Sequence, residues 1–157
     1  MAAEEKEKRK VIVFRLGDMD YAVPIKQVTS IEKMLPLTRM PKVPGFVKGV
    51  MNLRGVVMPV IDLRLRFGME EADHPPSARI MMVSSKDKEA GLIVDAARDV
   101  LDIQEDRIEY ASDVNGYSGQ EAMEGIVKME NRLLILLDLT VILSDKVRPT
   151  TMPALNR

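Results

Sequence analysis

The residues of this chain that could do chemistry are few and poorly placed for it. Its single histidine, His74, stands beside Pro75-Pro76 in the run MEEADHPPS, residues 69–77, where the apolar pattern is lost. Nucleophilic catalysis needs a serine, threonine or cysteine held against a base, and a lone histidine in such a loop reads as an ordinary surface side chain. The absence of cysteine removes thiolate nucleophiles, disulfides and thiolate metal sites together. Asp102, Glu105 and Asp106 are carboxylates of the kind used for acid–base work, but nothing nearby suggests an apolar cleft around them. They read as a solvated face. Gly116 and Gly119 lack the Lys-Ser or Lys-Thr that ends a phosphate loop, and no spaced His or Asp set offers metal ligands. The pattern points away from an enzyme and calls for no metal and no cofactor. One polar residue is out of place: Arg54 interrupts two apolar runs, residues 47–51 and 56–61.

The elements around Arg54 account for its position. Residues 52–55, Asn-Leu-Arg-Gly, read as the tight connection of a β-hairpin, with Gly55 free to adopt a positive φ. Beyond the hairpin Asp62 can cap a short helix, Leu63 and Phe67 fall at i and i+4, and Gly68 can end it with a left-handed cap.

The rest of the chain suits one domain or two small joined subdomains, since 157 residues at 46% hydrophobic content can bury a sizeable core. Its 23 basic and 24 acidic residues nearly cancel, so no global field draws it to nucleic acid or membrane. The N-terminus has no apolar signal-like region, and no run approaches membrane-spanning length, which leads us to expect a cytoplasmic protein. Residues 1–9 read as a frayed tail. In residues 10–16 alternation puts Ile12, Phe14 and Leu16 on a buried face, with Val11, Val13 and Arg15 on a half-wet one. A turn at Gly17-Asp18 leads to a second strand ended by Pro24. Residues 25–31 fit either a short helix or the start of a strand. Three prolines at 36, 41 and 44 demand an irregular loop. Residues 69–77 read as a linker. Strands are then expected at 78–84 and 90–95 with a charged turn at 86–89 between them, followed by spaced apolar residues at 96–103, a helical turn at 104–107, a segment at 108–110, a loop at 111–120, and a last hairpin from 125 to 137.

An internal repeat links the halves. Residues 49–62 and 125–138 share a glycine, a polar turn, an apolar strand and an Asp-Leu that opens a short helix. Leu63, Leu65 and Phe67 then meet Leu139, Val141 and Leu143. The charges divide differently: residues 33–61 hold Lys33, Arg39, Lys42, Lys48 and Arg54 with no acid, whereas residues 99–124 hold eight acids against Arg107. That asymmetry suits head-to-tail contact with a similar domain. The basic stretch also raises the alternative of a small β-barrel nucleic-acid-binding protein, but Phe46 is its only aromatic, too few for base stacking.

The runs FVKGVMNLRGVVMPVIDLRLRFG, VFRLGDMDYAVPIKQVTSIE, GLIVDAARDVLDI and EGIVKMENRLLILLDL together resemble the CheW family of bacterial chemotaxis coupling proteins, in order, from residue 10 to 143. The resemblance implies a mainly β fold of two five-stranded β-barrel subdomains with short helices, here residues 10–68 and 78–144, flanking an apolar groove. Residues 145–157 would be a C-terminal tail, with packing back onto the first subdomain left open. It implies no catalysis, but a scaffold that joins the cytoplasmic tips of chemoreceptors to the regulatory domain of the histidine kinase CheA. Such a protein is expected at receptor clusters on the inner face of the membrane, a monomer in isolation and an array member in the cell, with no nucleic acid and no membrane insertion.

Matched residue by residue, the family's receptor-binding surface falls on Val28, Gly49, Arg54, Gly91, Ala97 and Val100, and its kinase-binding positions on Ile25, Ser30 and Val114. Two positions depart from the pattern. Ser30 stands where well-known members carry glutamate, removing an acidic partner for Arg54 that Glu32 would replace if it faces the same way. Val114 stands where some members carry an aromatic.

Overall fold

The computed structural model describes residues 7–110 and 122–144. The chain opens with a hairpin of β1 (Lys8–Leu16) and β2 (Met19–Pro24), then a single 3₁₀ turn at Ile25–Gln27 leads into β3 (Val28–Lys33). Both readings of residues 25–31 are therefore realised in sequence. After the proline-rich loop come β4 (Val47–Leu53), β5 (Val56–Asp62) and helix α1 (Leu63–Arg66). Beyond residues 69–77 lie β6 (Arg79–Ser85), β7 (Lys88–Val94), β8 (Ala96–Gln104), a 3₁₀ turn at Glu105–Arg107 and β9 (Ile108–Tyr110). The described chain closes with β10 (Met123–Lys128), β11 (Leu133–Leu137) and helix α2 (Leu139–Ile142).

The turn residues explain two tight hairpins. Arg54 and Gly55, with φ of 53° and 87°, and Lys86 and Asp87, with φ of 51° and 69°, each form a two-residue loop with both φ positive. Loops of that kind match the right-handed twist of the strands they join. Asn52 supports the first loop, its Oδ1 accepting from Gly55 N at 2.8 Å. At α1 the expected caps form. Asp62 accepts from Arg64 N at 3.0 Å, and beyond Gly68, at φ 82°, Gly68 N donates to Leu65 O and Met69 N to Arg64 O. This pair of bonds is the Schellman closure.

The strands form two sheets, ordered β8-β1-β2-β11-β10-β9 and β3-β6-β7-β5-β4. Neither is contiguous in sequence, and neither follows the expected division at residues 69–77. The hairpin β1–β2 completes the sheet of the C-terminal strands, while β6–β7 completes the sheet of β3, β4 and β5. Each half lends its hairpin to the other. Nor does either sheet close its ladder into a barrel among the described residues. Both are rolled instead, because the chain passes directly from one outer strand to the far side of the same sheet. It runs from β3 to Thr38, which bridges Val50 on β4, and from β8 through Glu105–Arg107 to β9. Links this short, at no more than about 3.5 Å per residue, hold the open edges near each other.

The internal repeat holds at the level of single pairings. Val47 pairs with Ile61 and Gly49 with Val60 around a bulge; Met123 pairs with Leu137 and Gly125 with Leu136 around another. Asp62 N donates to Phe46 O and Asp138 N to Ala122 O, each at 2.8 Å, and Asp138 caps α2 through Thr140 N as Asp62 caps α1.

Three apolar clusters result. Val11, Val13, Ala22, Val127 and Leu134 fill the roll of the six-stranded sheet, and Met51, Val60, Ile80, Met82 and Ile93 fill the other. The largest lies between the sheets and takes Ile12, Phe14, Leu16, Met81, Val83, Leu92 and Leu137. Both faces of β1 are thus buried: the face expected to be half-wet, that of Val11 and Val13, is the inside of a roll. The expected tail is also shorter, since Lys8 and Arg9 belong to β1.

Candidate functional site

The sequence-predicted positions separate into an exposed group and a buried group. Strands β3 and β8 are the outer strands of their sheets. Val28 pairs with Val83, and on the other sheet Ala97 pairs with Phe14 and Val100 with Ile12. Partners across an antiparallel ladder share a face, and Val83, Phe14 and Ile12 all belong to the cluster between the sheets. Val28, Ala97 and Val100 therefore lie at the margins of the faces that the sheets turn toward each other. Val28 and Ala97 are half-buried and Val100 is 52% exposed. Ile25, in the turn before β3, packs half-buried against the same cluster. Ile31, which sequence reasoning passed over, pairs with the buried Met81 yet is 42% exposed. A large apolar residue beside a core position in an outer strand was the signal that would have found it.

Arg54 occupies the tip of the β4–β5 hairpin with 74% of its side chain exposed, and Nη2 lies 3.9 Å from Glu32 Oε2. Glu32 does face Arg54, the arrangement left open at Ser30, but at a separation that leaves the cation available to a partner. Val56 and Val57 beside the tip are exposed as well, on alternate faces of β5. The Ser30 hydroxyl is buried with no hydrogen-bond partner among the described residues. Val114 lies outside the described residues.

Gly49 and Gly91 are buried. A Cβ at Gly49 would lie 2.5 Å from the Thr38 carbonyl oxygen, and one at Gly91 would lie 2.6 Å from Ile80 Cγ2. Gly125, the repeat-mate of Gly49, has the same constraint, its Cβ falling 2.8 Å from the Glu109 carbonyl oxygen. These glycines let backbones and core side chains approach closely, and none presents a surface of its own.

Ion pairs brace the sheets behind these margins. Arg9 Nε lies 2.9 Å from Glu105 Oε1 and Arg9 Nη1 2.8 Å from Glu124 Oε2, while the Tyr110 hydroxyl donates to Glu105. The bond to Glu105 raises the pKa of Arg9 against the opposing effect of burial, and the Arg9 and Tyr110 donors depress Glu105. Donating to that carboxylate raises Tyr110. On the opposite side Asp95, 9% exposed in its side chain, holds Arg64 Nη2 at 2.5 Å and Gly17 N at 2.7 Å. The bond to Asp95 raises the pKa of Arg64.

Internal pairing of this kind undoes the expected charge asymmetry. Lys10 meets Asp102 at 3.4 Å, Arg132 meets Asp99 at 3.4 Å, and Arg9 takes Glu105 and Glu124. The acidic stretch thus neutralises cations brought to it from β1 and the turn before β11, rather than offering itself whole to another domain. The basic stretch is likewise no stacking platform: Lys48 holds Glu71 at 2.6 Å and Arg66 lies over the Phe46 ring at 5.2 Å. His74 is also less ordinary than expected. Its Nε2 lies 3.6 Å from Oδ2 of the buried helix cap Asp62, so the 69–77 segment is tucked against α1.

Among the described residues no group of three or more His, Cys, Asp and Glu is placed to hold a metal ion, and no helix is long and apolar enough to cross a membrane.

Comparison with known proteins adds to this geometry. The family model described as CheW-like domain matches residues 10–147. The Chemotaxis protein CheW of Bacillus subtilis is 41% identical over 153 residues, covering 98% of both chains. The Probable chemotaxis protein CheW of Rhizobium etli is 36% identical over 139 residues, covering 87% of this chain and 88% of the relative. Among solved structures, the scaffolding protein TtCheW of Thermoanaerobacter tengcongensis matches with a TM-score of 0.79 at 34% identity, covering 87% of this chain and 92% of that one.

Proposed function

As the chain belongs to the CheW-like domain family, we propose that it is a non-catalytic chemotaxis scaffold that couples the cytoplasmic tips of chemoreceptors to the histidine kinase CheA. The observation that carries this reading is the apolar margin between the sheets, where Val28 and Ile31 on β3 and Ala97 and Val100 on β8 lie at the open edges of a shared core. A receptor helix tip seated along that margin buries its own apolar side chains there, and Arg54 orients it by charge. Ile25, Ser30 and Val114 are the kinase-binding positions, and the nearness of Ile25 to Val28 puts the two partners side by side. Gly49 and Gly91 serve the receptor surface indirectly, by shaping the sheet that carries it.

Such coupling needs no strong single contact. Two modest surfaces used together in an array gain from effective concentration, which suits a protein that is a monomer in isolation and a member of receptor clusters at the inner membrane face. Co-sedimentation with receptor-bearing membranes and kinase tests the proposal. The parent chain should pellet with the membranes and raise kinase activity. Val100→Glu, at an exposed site, should keep its fold and weaken pelleting about ten-fold, as expected for loss of a central apolar contact. A parent chain that stays in the supernatant, or leaves kinase activity unchanged, refutes the reading.

A further inference from the structure

Between β7 and β8 the chain passes from the five-stranded sheet to the six-stranded one through a single residue. β7 ends at Val94, β8 begins at Ala96, and Asp95 between them is 7% exposed. Its hydrogen bonds reach parts of both sheets. Asp95 N donates to Arg15 O at 2.9 Å, and its own carbonyl accepts from Ser77 Oγ at 2.7 Å. The carboxylate is shared. Oδ2 accepts from Gly17 N at 2.7 Å, in the β1–β2 turn of the six-stranded sheet. Oδ1 accepts from Arg64 Nε at 3.2 Å and Oδ2 from Arg64 Nη2 at 2.5 Å, on the helix that follows β5 of the five-stranded one.

The core between the sheets supplies cohesion of a different kind. It is built from apolar side chains such as Phe14, Leu16, Met81 and Leu92, and burial of apolar surface is non-directional. Such a core holds two sheets together without fixing the angle between them, and small sliding of packed layers is a common domain motion. A guanidinium bonded through two nitrogens to one carboxylate is directional. Other polar ties join the units at α2, from Arg66 to the Val141 and Ile142 carbonyls at 3.4 Å and between the Ser85 and Thr140 hydroxyls at 2.6 Å, but neither touches β8. Asp95 leads directly into β8, two residues before Ala97 and five before Val100. Val28, on the facing margin, belongs to β3, which is joined through β6 to β7. Rotation at Asp95 therefore changes the separation of the two margins.

We propose that Asp95 is a positioning residue: its carboxylate, held between Gly17 and Arg64, sets the angle between the sheets and thereby the width of the margin that receives the receptor helix. The proposal rests on the receptor-binding reading above, and Asp95, being buried, acts through β8 alone.

Because the chain has no cysteine, a pair of spin labels tests this on the full-length protein. Lys26→Cys, just before β3, and Gln104→Cys, at the end of β8, are both at exposed positions. At about 3.3 Å per residue β8 carries Gln104 up to about 30 Å from Asp95, so a rotation of about 5° moves it by about 2–3 Å. Pulsed electron resonance reads that distance in the parent and in Asp95→Asn, which keeps an acceptor for Gly17 N and loses the ion pair with Arg64. The distance distribution of Asp95→Asn should shift or broaden by at least about 2 Å. Without labels, and well below its unfolding midpoint, the same variant should co-sediment with receptor membranes at least about five-fold more weakly than the parent. Gly125→Ala, destabilised within one sheet, should keep the parent distance, which separates a change of angle from a loss of stability. An unchanged distance in Asp95→Asn overturns the proposal whatever its binding, and a changed distance with unchanged binding overturns the link from angle to receptor. If Asp95→Asn does not fold, Arg64→Lys, which keeps the charge but cannot span both carboxylate oxygens, is read in the same way. A parent chain that does not pellet refutes the receptor reading instead, and the distance still decides whether Asp95 sets the angle.

Discussion

Replacing Gly49 by alanine separates a role in folding from a role in binding. The added Cβ would lie 2.5 Å from the Thr38 carbonyl oxygen and 3.2 Å from Leu37 Cβ, at a φ of +153° that side chains rarely adopt. Its nearest neighbour is backbone, held in place by reciprocal bonds between Thr38 and Val50 at 2.9 and 2.8 Å, so it cannot simply rotate away. Overpacking a tight site costs about 1–3 kcal/mol, and so does an unfavourable backbone conformation. With partial relaxation a loss of about 3 kcal/mol is expected, or roughly 6–12 °C in Tm for a chain of this size. Gly125→Ala is the internal control, because its Cβ would meet the Glu109 carbonyl oxygen at 2.8 Å without a positive φ. It should lose about 2 kcal/mol. Urea denaturation followed by circular dichroism measures both, and co-sedimentation with receptor membranes well below both midpoints measures binding. If packing is the whole role of Gly49, the folded fraction of Gly49→Ala still binds. A variant within about 0.5 kcal/mol of the parent that nevertheless loses receptor binding would refute the reasoning.

Three further outcomes follow from the same geometry. Arg54 sits at φ 53°, where a non-glycine residue carries strain, so Arg54→Gly should change unfolding free energy by less than about 1 kcal/mol while weakening receptor association; a cooperative unfolding transition checks the first and co-sedimentation the second. Asp95→Ala leaves Arg64, 18% exposed, without its carboxylate and frees the Gly17 N–H, so urea denaturation should show a loss of about 3 kcal/mol. Glu105 has a depressed pKa, chiefly through the bond from Arg9 and then from Tyr110, so its contribution is present above the ordinary carboxyl value and is lost as pH falls through the folded one. The stability gap between the parent and Glu105→Gln should accordingly be constant near neutrality and narrow below about pH 4, and it should shrink in high salt because both side chains are partly exposed.

Much of this architecture is written in local pattern. The turns at Gly17, Gly55 and Lys86-Asp87, the two Asp caps, the helical turn before Ile108 and the repeated hairpin all depend on residues a few positions apart, whose types dictate backbone geometry directly. The exposed cation at Arg54 was legible for the same reason. What sequence left open depends on residues brought together from far along the chain. Alternation in β1 distinguishes two faces but cannot say that both are buried, because the second face meets β8, β10 and β11 only after the hairpin has crossed to the C-terminal half. The acidic stretch looked like a partner-seeking surface until β1 placed Arg9 and Lys10 against it. Gly49 and Gly91 matched binding positions by type, and only the approach of Thr38 and Ile80 shows why no side chain fits. By itself, then, the sequence determined the elements, their turns and the repeat, since these follow from short-range steric and hydrogen-bonding preferences. The tertiary structure alone decided which hairpin completes which sheet and which charges are spent internally, since pairing between distant strands is chosen by how the whole chain buries its apolar faces.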